Sequence, residues 1–112
     1  MEFKREKIEA VNVVHLKGSL TVATAQECFT RMVSLLEKGE TNLLLQMSLV
    51  DFIDSTGLGT VVRLAKRVKE AKGQLRLSDP QPKILEMFEL TRLDKILPIF
   101  RTQKEALEDA RT

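Results

Sequence analysis

The sequence predicts an α/β fold, a single domain over residues 1–112 in which a mixed β-sheet packs against α-helices in the order ββαβαβαβα. Three observations carry that prediction. The short apolar run Leu43 to Met47 lies between turn-forming residues, and Gln74 to Ser78 likewise reads as a strand. The segments between them repeat apolar residues at three- and four-residue spacing, as amphipathic helices do. Phe3 to Glu9 and Val11 to Lys17 instead alternate apolar and polar side chains imperfectly. An apolar fraction of 43% builds one core at this length and leaves no room for a second domain.

Taken in order, Phe3 to Glu9 and Val11 to Lys17 form an antiparallel strand pair joined by a short connection at Ala10. From Val22 to Lys38, the residues Ala25, Cys28, Phe29, Met32, Leu35 and Leu36 make a helical stripe, with Thr21 or Thr24 at its cap and Gly39 placed to end it. Leu43 to Met47 is apolar throughout apart from Gln46, the pattern of a central strand covered on both faces. A second helix begins near Ser55, buries Leu58, Val61, Val62, Ala65 and Val68, and ends near Lys72-Gly73. Gln74 to Ser78 is a strand, and Asp79-Pro80 stops it. Pro82 to Leu90 is a short helix with Ile84, Leu85 and Phe88 inward, and Ile96 to Phe100 is a last short strand. Thr102-Gln103-Lys104-Glu105 matches a capping box and opens a closing helix to Ala110.

Composition narrows the function. No run approaches the roughly 20 apolar residues of a membrane span, and the basic start Met1 to Lys7 has no apolar segment behind it like that of a signal peptide, so the expected location is cytoplasmic. The lone Cys28 has no partner for an internal disulfide and lies on an apolar stripe. Lys and Arg number 18 against 16 Asp and Glu, a formal charge of +2, which does not point to nucleic acid; there is also no Trp or Tyr to stack a base. Arg63, Lys66, Arg67, Lys69 and Lys72 cluster on the polar side of the second helix. They make either a solvated face or a contact for an acidic partner.

The most informative segment is Asp51-Phe52-Ile53-Asp54-Ser55-Thr56-Gly57-Leu58-Gly59-Thr60. It places the Ser55 hydroxyl at or near a helix N-terminus, where unpaired amides and the helix dipole favour an added negative charge, while Asp51 and Asp54 oppose it. That competition suits a reversible phosphate that changes a surface. The alternative is that Ser55 only caps the helix and the glycines only ease a turn.

Asp54-Ser55-Thr56-Gly57-Leu58-Gly59, preceded by a strand and Phe52, resembles the signature of the STAS domain of bacterial anti-sigma factor antagonists and sulphate transporters. Gly18-Ser19-Leu20 with Thr24-Ala25, and Leu90 to Leu97, resemble other parts of that family, so the likeness covers nearly the whole chain. The resemblance implies the same mixed sheet and a partner switch. The unphosphorylated antagonist binds an anti-sigma factor that is also a serine kinase of the ATPase-type fold, freeing a sigma factor. The kinase phosphorylates the serine after the motif's Asp, here Ser55, and binding ends until a PP2C-type phosphatase restores it. By the same resemblance the partner surface comprises Asp54, Ser55, Thr56, Gly57, Leu58, Gly59, Ser19, Thr21 and Thr24, with the two glycines allowing close approach of a partner backbone. Two departures stand out. The family commonly has a Gly-Glu-Leu-Asp-like pattern where this chain has Ser19 and Thr21, which thins the acidic rim, and an Asp where it has Gln46. They keep open a second reading, a STAS scaffold or accessory subunit of a signalling or transport assembly whose Ser55 is never phosphorylated. A nucleotide sensor is a third, disfavoured by the missing phosphate loop.

Enzymatic readings are weaker. Ile53 stands where the G-x-S-x-G elbow needs glycine, the only imidazole is His15 on a predicted strand, and no third or fourth ligand follows Asp51 and Asp54 at a metal-binding spacing. No enzyme activity, metal or cofactor is expected. The chain reads as a target of chemistry more than its agent.

Overall fold

The computed structural model describes residues 1–112. Five strands form one sheet in sequential order: β1 (Glu2–Ile8), β2 (Val11–Leu20), β3 (Asn42–Ile53), β4 (Gln74–Ser78) and β5 (Ile99–Phe100). β1 pairs antiparallel with β2, and every later pairing is parallel. Parallel neighbours require crossovers, supplied by α1 (Ala25–Glu37), α2 (Ser55–Glu70) and α3 (Pro82–Leu90). Crossovers of one hand between strands laid down in sequence put their helices on the same face. The main core accordingly joins Leu16, Leu43, Leu45, Met47 and Leu77 of the sheet to Met32 of α1, Leu64 of α2 and Phe88 of α3. α4 (Gln103–Ala110) follows β5 and covers the other face, where Val11, Val13 and Leu44 meet Ala106. The expected mixed sheet with helices on it is the observed one.

Local boundaries differ from expectation for identifiable reasons. β2 and β3 run on to Leu20 and Ile53, past the expected ends at Lys17 and Met47. Their pairing slips register twice, between His15 and Lys17 and between Gly18 and Ser19. The inward residues of β3 therefore change from every second position to Met47, Val50 and Ile53, three apart, and the period-two signal is lost where the strand continues. α1 starts at Ala25, not Val22, because the hydroxyl of Thr24 donates to the Ser19 carbonyl and accepts the Thr21 N–H, folding residues 19–24 into a tight loop. Thr24 holds the N-cap position without a side-chain cap bond. Gly39 ends the helix as expected: with φ of 86° it lets its own N–H and that of Glu40 bond back to the carbonyls of Leu36 and Leu35.

Leu64, not assigned to the buried stripe of α2, is 1% exposed, whereas Val62 and Ala65 are half-buried. β5 keeps only Ile99 and Phe100 of the expected five residues. A 3₁₀ turn at Leu93–Lys95 precedes it, Ile96 is exposed, and Pro98 has no N–H for a ladder. At α4, Thr102 accepts the Glu105 N–H, but the Glu105 carboxylate turns to the Thr102 hydroxyl rather than its amide, so the capping box is half formed.

Candidate functional site

Parallel strands end together, and the loops beyond their carboxyl ends share one rim of the molecule. Leu20 and Ile53 are paired at that rim, so the 20–24 loop after β2 lies beside the start of α2 after β3. One residue fastens the two. Asp54 is the N-cap of α2: its Oδ1 accepts the Gly57 N–H at 2.8 Å, and its Oδ2 accepts the Val22 N–H at 3.0 Å. Both oxygens are thus met by backbone donors, foremost Gly57, which hold the carboxyl below its ordinary range and keep it ionised.

The capping role left open for Ser55 therefore belongs to Asp54. Ser55 is the first helical residue and is exposed. Thr56 and Gly59 are exposed as well, and a Cβ at Gly59 would meet nothing within 4 Å. Gly57 and Leu58 are not surface groups. A Cβ at Gly57 would stand 2.2 Å from the Leu20 carbonyl oxygen, so this glycine exists to let α2 approach the end of β2. Leu58 is 8% exposed and belongs to the core. Of the expected partner-facing residues in this segment, these two are buried beneath the exposed Ser55, Thr56 and Gly59.

Ser19 donates to Asp51 Oδ1 at 2.9 Å across the β2–β3 pair, so a hydroxyl on this rim binds one of its carboxylates. Thr21 accepts the Ala23 N–H through its side chain. Ser19, Thr21 and Thr24 are each half-buried and shape the loop beside Ser55. Gln46, by contrast, lies on the α4 face far down β3, where it donates to Asp79 at 2.9 Å and accepts the Ser48 N–H. It is not part of the Ser55 rim.

Two exposed apolar residues lie on the segments that meet here, Val22 within the expected Ser19 to Thr24 contact surface and Phe52 outside it. Phe52 is 56% exposed and Val22 is 73% exposed. The signal for Phe52 was its place beside inward Ile53, since neighbours on a strand point to opposite faces. Val22 carried no comparable signal; only the Asp54 anchor on its amide brings it here.

The only imidazole of the chain is not at this rim. His15 pairs with Glu6 at 2.9 Å on β1 and lies five residues before Leu20, roughly 16 Å along the strand. No three His, Cys, Asp or Glu side chains converge as a metal site. Cys28 is buried in the core, which pushes its thiol up to about 11. No helix is long and apolar enough to cross a membrane.

The STAS domain family model matches residues 2–106. The anti-sigma-B factor antagonist of Bacillus subtilis is 33% identical over 86 residues, covering 77% of this chain and 78% of that protein. Among solved structures, protein TM1081 of Thermotoga maritima superposes with a TM-score of 0.93 at 29% identity, over 98% of this chain and 95% of that one. The Bacillus anti-sigma factor antagonist SpoIIAA has been solved unphosphorylated and phosphorylated. The two forms give TM-scores of 0.73 and 0.74, each at 21% identity, and cover 98% and 97% of this chain and 98% and 99% of theirs.

Proposed function

Because this chain belongs to the STAS-domain family of anti-sigma factor antagonists, we propose that it is a cytoplasmic partner switch controlled by phosphorylation of Ser55. The unphosphorylated form binds an anti-sigma factor that is also a serine kinase of the ATPase-type fold, and so releases a sigma factor. Phosphorylation of Ser55 ends that binding, and a PP2C-type phosphatase reverses it.

The observation that carries this reading is the exposed Ser55 on the first turn of α2, at the junction that Asp54 fastens between that turn and Val22. Val22 and Phe52 supply apolar surface for a partner to cover, with Thr56, Gly59 and the 19–24 loop beside them. A phosphate adds about two negative charges at neutral pH. Here it arrives at a helix end whose Gly57 amide already serves the carboxylate of Asp54. The helix holds it weakly, so it projects toward the partner and must be desolvated if the complex is to persist. Release of the partner follows from that cost.

Site-mapped mass spectrometry of the chain isolated from its own cells, with and without PP2C-type phosphatase treatment, tests the modification. A phosphate on Ser55 that the phosphatase removes is expected. Binding tests the switch: Ser55→Ala keeps its affinity for the kinase partner, and Ser55→Asp loses about tenfold or more. Equal affinity of the two variants, with Ser55 unmodified across growth and stress conditions, replaces the switch by a constitutive STAS scaffold.

A further inference from the structure

A second surface lies on the outer side of α2, away from Ser55. Arg63, Lys66 and Arg67, together with Phe29 of α1 and Glu70, line a groove of about 360 Å³ between the two helices. The Arg63 guanidinium sits 4.2 Å from the centre of the Phe29 ring and that of Arg67 sits 6.0 Å from it. One aromatic ring thus holds two cations in place by attraction to its π-face.

These charges are unspent within the fold. Its ion pairs use Lys7, His15, Lys17, Arg31, Arg76 and Arg111. Arg63, Lys66, Arg67, Lys69 and Lys72 are in none of them, and Glu70 pairs with no neighbour although it lines the same groove. The groove itself gathers three cations, Arg63, Lys66 and Arg67, around the single carboxylate of Glu70.

We propose that the α1–α2 groove is a docking site for an acidic segment of a partner protein, one carrying spaced Asp or Glu side chains. Three features select that occupant. Planar guanidinium forks held in position match carboxylates two bonds at a time. The aromatic ring of the groove is already covered by guanidinium groups and offers no face to a base. Glu70 repels a uniform polyanion such as a nucleic-acid backbone but leaves room for separated carboxylates. The site is independent of the Ser55 switch.

The test uses the full chain and a fluorescein-labelled peptide of alternating Gly and Glu, with the Gly-Gln peptide as its neutral counterpart, read by fluorescence anisotropy. The Glu peptide binds, and its affinity falls as salt rises from about 50 to about 300 mM. Arg63→Glu with Arg67→Glu weakens it about tenfold. Lys95→Glu with Lys104→Glu, an equal charge change elsewhere on the surface, leaves it unchanged, as does Ser55→Asp. Amide NMR shifts on titration map to α1 and α2. Circular dichroism of the double Arg variant matches the parent, since neither side chain is buried. Any of four results overturns the proposal: no binding of the Glu peptide, equal binding of the Gln peptide, no loss in the double Arg variant, or tighter binding of a DNA duplex or of phosphatidylserine vesicles than of the peptide.

Discussion

At the scale of single residues, Gly57 and Gly59 show how two identical side chains in one motif do different work. The missing Cβ of Gly57 lets the first turn of α2 pack against the Leu20 carbonyl, and a backbone atom does not rotate out of the way. Gly59 faces open space. Gly57→Ala is therefore expected to cost about 2–4 kcal/mol of folding stability through overpacking. Gly59→Ala should add about 0.5–1 kcal/mol, because alanine replaces glycine inside an exposed helix turn. Urea unfolding of the two variants checks both signs; equal effects would mean that the motif's glycines share one role. Nothing in Asp54-Ser55-Thr56-Gly57-Leu58-Gly59 as a string separates them, since the distinction depends on which face of α2 meets β2.

At the scale of elements, β3 has two halves with different neighbours. Asn42 to Gln46 lies between β2 and β4, while Met47 to Ile53 has only β2 beside it. Its apolar start was legible because both faces of that half are covered. The continuation was not, because two register slips break the alternation that marks a strand. Gln46 stands at the division. Its amide donates to Asp79 and, at 3.4 Å, to Gln103, so it ties β3 to the end of β4 and the start of α4. An aspartate at position 46 would keep an acceptor for the Ser48 N–H but set a carboxylate against that of Asp79. Gln46→Asp is expected to lose about 1–3 kcal/mol. Asp79→Asn in that background should recover about 1 kcal/mol, a coupling that a double-mutant cycle in urea measures.

At the scale of the whole molecule, three carboxylates at separate places titrate below their ordinary range. Glu9 is held there by Arg111, Glu40 by Asn12 and then Lys7, and Asp54 by the Gly57 amide. In the unfolded chain each binds its proton near pH 4 as the pH falls, before it does so in the folded state. Their contribution is therefore present above about pH 4 and is lost as pH falls through the lower folded values. Urea unfolding between about pH 6 and pH 3 should show stability falling with acid. The triple change Glu9→Gln, Glu40→Gln, Asp54→Asn should flatten that slope. A slope as steep as the parent's would place the acid sensitivity in other groups. Asp54→Asn retains an oxygen for the Gly57 amide, so the cap survives while the titration does not.

The sequence by itself determined the order of elements, the parallel sheet with its antiparallel first pair, and the position of Ser55 at the start of a helix. Those properties are set by local periodicity, turn chemistry and the reach of the chain between strands. The tertiary structure decided the rest. It buried Gly57 and Leu58 and moved the cap from Ser55 to Asp54. It tied Val22 to Asp54, and it set Arg63 and Arg67 of α2 over the Phe29 ring. Each of these depends on which residues distant in the chain come within a few ångströms of one another, and periodicity along one segment carries no record of its neighbours.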